Sequence, residues 1–264
     1  SVKVCIREIR KALVDDAQAP RFIETVHRRG YRFIAKMGAV VPAAMASESA
    51  TVVGRDDELN WLLKRFAKAQ SGVRQTVFIT GRPGSGKTAL IGALAQRLKG
   101  SALVAAGHCF EQFGVSEPYL PVWEALDRLA APATMVRAES ASSSQRLLRD
   151  IIERVEHSAA NQPLLLVLED LQWADYSTLD LISALAHRRG PAQLMLVCTY
   201  RHDEVLERTH PLRVMTRELL DRELAEAQPL IALSEAAVGE FLARRAANVP
   251  RKLVGALHQR TGGH

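Results

Sequence analysis

Gln75-Thr76-Val77-Phe78-Ile79-Thr80-Gly81-Arg82-Pro83-Gly84-Ser85-Gly86-Lys87-Thr88-Ala89-Leu90-Ile91-Gly92-Ala93-Leu94-Ala95-Gln96-Arg97-Leu98 is the stretch on which the fold turns. Its first six residues form a short apolar, β-branched run that predicts a strand, and Ala89 to Leu98 has helical period. Between them, Gly81 to Thr88 reads Gly-x-x-x-x-Gly-Lys-Thr. Strand, loop and helix in that order separate a phosphate-binding loop from an ordinary glycine-rich turn. Glycines let backbone N–H groups turn inward around phosphates without a Cβ in the way, and the helix start adds its positive dipole end. Gly81, Arg82, Pro83, Gly84, Ser85 and Gly86 are therefore expected to wrap nucleotide phosphates. Lys87 is expected to reach the β- and γ-phosphates, and Thr88 to offer its hydroxyl to Mg²⁺.

Such a site needs acids, and the next apolar run provides them. Pro163-Leu164-Leu165-Leu166-Val167-Leu168 has the length of a buried strand and ends in Glu169-Asp170, about eighty residues after the loop. Two acids at a strand end suit two tasks: one holds Mg²⁺, and the other orients or deprotonates the attacking water. A further strand over Gln193 to Thr199 ends at Tyr200-Arg201, and a parallel sheet brings that end to the same edge. Arg201 is then either a group that senses or stabilises γ-phosphate charge or an ordinary surface arginine. Gln145 to Val155 is amphipathic and is expected to pack on the sheet, with Ser140 to Ser144 a loop before it. Trp61, Leu62 and Phe66 are expected in the core.

Composition narrows the rest. The 264 residues are 47% hydrophobic and 24% charged, as in a globular chain of one large domain or two modest ones. No uninterrupted apolar run is longer than Leu164 to Leu168, far short of the roughly 18 residues that a membrane span needs. The N-terminal stretch lacks the profile of a secretory signal, so a cytoplasmic location is expected. Cys5, Cys109 and Cys198 form no CxxC pair and are read as buried thiols, not as a disulfide framework or zinc site. Neither HExxH nor Gly-x-Ser-x-Gly occurs.

Of the net charge of +6, residues 1–40 hold +5, from nine Lys and Arg against four acids. Val2, Cys5, Ile6, Ile9 and Leu13 recur at helical steps, with Lys3, Arg7, Arg10 and Lys11 on the other side. Phe22 to Val26 and Tyr31 to Ile34, around Arg28-Arg29-Gly30, predict a β-hairpin with a basic tip. Lys3, Arg7, Arg10, Lys11, Arg28 and Arg29 are the candidate DNA-binding residues, the helix suiting a major groove and the cations suiting phosphates. This stretch resembles the C-terminal half of the winged-helix effector domain of response-regulator transcription factors. The residues that carry the likeness are Val4 to Leu13, Asp16, Pro20, Ile23 to Val26 and Arg29 to Phe33. The first strands and helices of that family have no counterpart, so a partial domain is expected.

Residues 51–264 resemble the ATPase module of signal-transduction ATPases with numerous domains, the STAND class of AAA+-like P-loop proteins. The matches are Val53-Gly54-Arg55-Asp56-Asp57-Glu58-Leu59, the phosphate loop, Leu168-Glu169-Asp170-Leu171-Gln172-Trp173-Ala174-Asp175 and Cys198-Thr199-Tyr200-Arg201. Gly107-His108-Cys109 through Glu117 to Pro121 is a softer one. The resemblance implies ATP or ADP with Mg²⁺, with Val53, Gly54 and Arg55 beside the adenine, Trp173 and Asp175 following the metal acids, and Arg201 as nucleotide sensor. Two features depart from the family: Glu169 stands where aspartate is commoner, and Thr261-Gly262-Gly263-His264 stops short of the Gly-x-Pro proline.

The fold expected is α/β, a three-layer P-loop NTPase with a parallel sheet, a partial winged helix-turn-helix in front and a helical C-terminal extension. Its divisions are residues 1–36 winged helix, 37–50 linker, 51–230 ATPase domain and 231–264 the start of a helical domain, with both ends of the chain looking cut. Two roles fit: a slowly hydrolysing ATP switch in a DNA-binding transcriptional regulator answering an inducer, with nucleotide-dependent self-association, or a turnover ATPase acting on DNA or protein. A DNA-binding factor with a vestigial ATP site is disfavoured by intact Lys87, Thr88, Glu169 and Asp170.

Overall fold

The computed structural model describes residues 23–26, 30–33, 52–111, 117–127, 129, 144–207, 210–244 and 249–264. Contacts divide the chain into two units, Ser1–Ser47 and Glu48–His264. In the first unit, β1 (Ile23–Val26) and β2 (Gly30–Phe33) pair antiparallel from Ile23↔Phe33 to Val26↔Gly30. The hairpin expected there is present. The basic helix with Lys3, Arg7, Arg10 and Lys11, and Arg28 and Arg29 at the hairpin tip, lie outside the described residues.

The second unit begins with α1 (Asp56–Gln70), whose first turn places Asp56, Asp57 and Glu58 at the positive end of the helix dipole. Its Leu59, Leu62, Phe66 and Ala69 fall on one face and are buried. Trp61 packs beside them, with the Arg65 guanidinium 3.8 Å above its ring. Then follow β3 (Gln75–Thr80), α2 (Lys87–Arg97), β4 (Leu103–His108), α3 (Leu120–Asp127) and α4 (Ser144–Asn161). Next come β5 (Leu164–Glu169), a 3-10 turn (Leu171–Trp173), α5 (Tyr176–His187) and β6 (Leu194–Tyr200). The chain continues through α6 (His202–Glu207), α7 (Pro211–Asp221), β7 (Glu226–Pro229), α8 (Glu235–Ala243) and α9 (Arg251–Thr261).

Five strands form one parallel sheet in the order β4-β5-β6-β3-β7. The unbroken apolar composition of β5 follows from burial on both faces. Leu164, Leu166 and Leu168 point into a core shared with α3, α4, α5 and α7, while Leu165 and Val167 point into a core shared with α1 and α2. All five are fully buried, each contributing on the order of 2 kcal/mol. Helix, sheet and helix give the three layers expected, and Cys109 and Cys198 are buried thiols.

The strand expected to end at Thr199 runs one residue further, to Tyr200, and the helix from Gln145 extends to Asn161. Two strands carry little signal of their own. Leu103-Val104-Ala105-Ala106-Gly107-His108 is rich in small residues, and Glu226-Ala227-Gln228-Pro229 is a short edge strand ending in proline. Both acquire strand geometry from the ladders they join, β4 on β5 and β7 on β3.

Candidate functional site

Parallel pairing decides where the functional groups meet. Thr80 is level with Tyr200, and His108 with Glu169, so the residues that follow β3, β5 and β6 leave the sheet at one edge. The chain runs from β3 to β4 on one side and from β6 to β7 on the other, which makes β3 the point where strand order reverses. Ligands of open α/β sheets bind at such a point, outside the carboxyl ends of the strands.

Helix α2 starts at Lys87, directly behind Gly86, which holds φ 88° and ψ 21°, a left-handed conformation that glycine adopts without steric cost. No side chain caps this helix, so its first-turn N–H groups remain for a ligand. Lys87 is buried, and its Nζ donates to the carbonyls of Gly81 at 2.8 Å and Arg82 at 3.1 Å. Burial pushes its ammonium below the ordinary lysine range, and the Asp170 charge partly restores it. Ser85 Oγ is buried without a hydrogen-bond partner among the described residues. An uncapped helix start, a buried ammonium resting on carbonyls and an orphaned hydroxyl in one loop fit a phosphate ligand.

The acids lie opposite. Thr88 Oγ1 donates to Glu169 Oε2 at 2.5 Å, joining two of the three groups, with Asp170, expected at Mg²⁺. Burial would raise the Glu169 carboxyl, but hydrogen bonds from His108 and Thr88 outweigh it and hold Glu169 below the usual carboxylate range. Asp170 stands at φ 58° and ψ 47°, left-handed without being glycine. Its N–H donates to Thr199 Oγ1 at 3.0 Å, and its Oδ1 accepts from Gln172 Nε2 at 3.0 Å. Arg201 Nη1 donates to Glu204 at 2.7 Å, and its Nε lies 3.8 Å from Asp170 Oδ1. Lys87, Thr88, Glu169, Asp170 and Arg201 are therefore gathered at one edge.

Other sequence-named residues serve the frame. Arg55 is 3% exposed and donates to the carbonyls of Ser85 at 3.0 Å and Ile231 at 2.5 Å, and to Glu58 at 2.8 Å. It braces the phosphate loop against the chain after β7. Val53 is buried, and a Cβ on Gly54, at φ +65°, would come within 2.7 Å of Ala237 Cβ on α8. Asp175 caps α5, accepting from the Thr178 N–H at 3.0 Å and from its hydroxyl at 2.5 Å. Arg82 reaches away from the loop to Asp203 at 3.2 Å. A cleft of about 400 Å³ opens beside the loop, bounded by Thr80–Arg82, Asp203, Pro229–Ala232 and His264, a size suited to a nucleotide moiety.

Two groups that the sequence named only inside matched motifs, with no role, also reach the site. His108, at the end of β4, has Nε2 3.2 Å from Glu169 Oε1, and its N–H donates to Glu124 at 3.0 Å. Gln172 is 4% exposed and touches both Asp170 and Arg201. Placing His108 requires knowing that β4 lies beside β5. The Cys109 thiol next to it is pushed up to about 12 by burial, which leaves it unreactive.

A model of the AAA ATPase domain matches residues 51–197, more than half of the chain. The chain belongs to the AAA ATPase domain family. A second model, "Transcriptional regulatory protein, C terminal", matches residues 1–33. No curated protein matches the chain significantly. Among solved structures, the AAA ATPase domain is similar to Cdc6p from Pyrobaculum aerophilum, with 14% identity and a TM-score of 0.56 over 81% of this chain and 57% of that one. It is also similar to the Aeropyrum pernix ORC1 protein, solved in complex with DNA, with 15% identity and a TM-score of 0.51 over 77% and 52%. The Walker-type ATPase PABY2304 of Pyrococcus abyssi gives 13% and 0.56 over 79% and 63%. The chain thus spans just over half to under two thirds of these proteins. At such identities the likeness shows the AAA ATPase fold alone. Among the described residues, no helix is long and apolar enough to cross a membrane.

Proposed function

We propose that the chain is the ATP-binding, slowly hydrolysing switch module of a DNA-binding transcriptional regulator of the STAND class. The observation that carries this reading is the union, in one chain, of an AAA ATPase domain with a segment matching the C-terminal domain of transcriptional regulatory proteins. ATP, when bound, supplies the transferable γ-phosphate, and Mg²⁺ supplies charge that neutralises it. Gly81 to Gly86 and Lys87 would hold the phosphates, with Thr88, Glu169 and Asp170 at the metal. Val53 and Gly54 would lie beside the base, with Arg55 fixing the loop. Asp170 would orient the attacking water and accept its proton, and Arg201 would meet the γ-phosphate. Arg201 is engaged by Glu204, so it must change partners before it meets the γ-phosphate. That requirement favours a slow switch whose two nucleotide states bias two arrangements. Lys3, Arg7, Arg10, Lys11, Arg28 and Arg29 would contact DNA, and an inducer and self-association would be read through the nucleotide state. Residues 1–36, 37–50, 51–230 and 231–264 would serve as DNA-binding part, linker, ATPase domain and helical extension in a cytoplasmic protein.

The test is equilibrium binding of ATP and ADP, with and without Mg²⁺, to the chain and to its Lys87→Ala and Asp170→Ala variants, with turnover recorded in the same samples. Binding that Lys87→Ala abolishes, with little turnover, supports the switch. Unchanged affinity in a folded Lys87→Ala protein refutes it. A turnover ATPase acting on DNA or protein is the second reading, favoured by the intact set Lys87, Thr88, Glu169, Asp170 and Arg201 at one edge, and by a fold shared with an ORC1 protein solved on DNA. Fast hydrolysis stimulated by DNA or protein would select it.

A further inference from the structure

We infer that Gln172 is a positioning residue that holds Asp170 and the Arg201 end of β6 in register, so that the water-orienting acid follows the nucleotide-sensing strand. The inference rests on the roles proposed above for Asp170 and Arg201. Gln172 is 4% exposed, and both ends of its amide are used. Its Nε2 donates to Asp170 Oδ1 at 3.0 Å, and its Oε1 accepts the Arg201 N–H at 3.1 Å. The opposite orientation of the amide would set N–H against N–H and oxygen against carboxylate, so only this one satisfies the network. Asp170 is tied to β6 a second time, through its N–H on Thr199 Oγ1, a residue 1% exposed. These two tethers fix Asp170 at φ 58°, a left-handed conformation that aspartate adopts more readily than most non-glycine residues but that still carries strain. β6 lies between β5, which carries the acids, and β3, which feeds the phosphate loop. A displacement of Arg201 is therefore passed through the amide to Asp170.

The experiment uses the full 264-residue chain. Gln172→Glu keeps the shape and the acceptor for the Arg201 N–H but turns a like charge toward Asp170. Gln172→Met keeps the length without either hydrogen bond, and both are read in protein that unfolds cooperatively. Misplacement by about 1 Å predicts roughly 100-fold slower Mg²⁺-dependent ATP turnover, with ADP affinity within about threefold of wild type. The loss should shrink to about twofold in an Asp170→Asn background, because Gln172 acts through that acid. Independently of turnover, the ratio of ATP to ADP affinity should change about fivefold or more as Arg201 loses its anchor. Wild-type-like turnover and an unchanged affinity ratio overturn the inference, as does an equal loss in the Asp170→Asn background. If the wild-type chain binds nucleotide without hydrolysing it, the affinity ratio alone decides. Binding of neither nucleotide by wild type overturns the nucleotide reading itself, and this inference with it.

Discussion

The two edges of the parallel sheet handle charge in opposite ways. Where the strands begin, Glu156 accepts Nε and Nη2 of Arg188 at 2.6 and 2.8 Å and Nη2 of Arg74 at 2.8 Å. That cluster ties α4 to the segment before β3 and to the segment after α5 with fixed, charge-assisted bonds. Where the strands end, buried Lys87 rests on two carbonyls, and Glu169 on a hydroxyl and an imidazole. These neutral or titratable partners can be exchanged for a ligand at modest cost, whereas the partners of Glu156 cannot. The buried charge of Arg74 at the structural edge is closed on a carboxylate, whereas Lys87 and Glu169, buried at the working edge, are parked on replaceable partners, with the less buried Arg201–Glu204 ion pair beside them.

The largest effect that sharpens this contrast is expected at Lys87. Lys87→Ala should weaken nucleotide binding by about 3 kcal/mol, roughly 100-fold, in titration calorimetry, with little change in the urea midpoint. Glu156→Gln should do the reverse. Arg74 has a side chain only 8% exposed, and its Nε and Nη1 are already buried without partners among the described residues. Removing the carboxylate charge leaves that guanidinium poorly compensated, so stability should fall by about 2 kcal/mol while nucleotide affinity stays within about twofold. A loss of nucleotide affinity in Glu156→Gln as large as that in Lys87→Ala would break the comparison.

Acid should expose both edges together. Burial would raise both carboxyls, but arginine bonds hold Glu156, and His108 and Thr88 bonds hold Glu169, below the ordinary carboxylate range. A carboxyl whose folded-state pKa is depressed contributes stability above its unfolded value and loses it as pH falls through the folded one. The urea midpoint should therefore fall from about pH 5 to pH 3, and less steeply in Glu156→Gln. An unaltered slope in that variant would show that Glu156 carries none of the acid sensitivity.

How far the sequence could be read follows the same division. The phosphate loop was legible because its chemistry is local: eight consecutive residues form the turn, the helix start and the ammonium. β5 and β6 were legible because a strand buried on both faces must be apolar throughout. The AAA ATPase fold and the gathering of Glu169, Asp170 and Arg201 follow from those runs and parallel pairing. Partners that meet only across the sheet were not legible. His108 reaches Glu169 because of the β4–β5 register, and an Ala- and Gly-rich strand announces neither its existence nor its neighbour. Arg55 showed its residue type but not its use, because its acceptors, the carbonyls of Ser85 and Ile231, lie 30 and 176 positions away. The ion-pair cluster at Glu156 is equally non-local.

The smallest effect is expected at Arg82 and Asp203, an ion pair at the working edge whose side chains are exposed and which, among the described residues, has no second partner to stiffen it. Its Nε and Oδ2 are 3.2 Å apart, with side chains 68% and 54% exposed. Water screens the attraction to about 1 kcal/mol, and holding two mobile side chains in one geometry offsets most of that. Asp203→Ala should therefore shift stability by less than about 0.5 kcal/mol, and added salt should erase even that. The Glu156→Gln loss should persist in the same salt series, because burial limits screening. Urea unfolding of both variants at low and high NaCl compares the two directly. A salt-resistant loss of about 2 kcal/mol in Asp203→Ala would mean that the working edge, too, depends on closed charge for its stability.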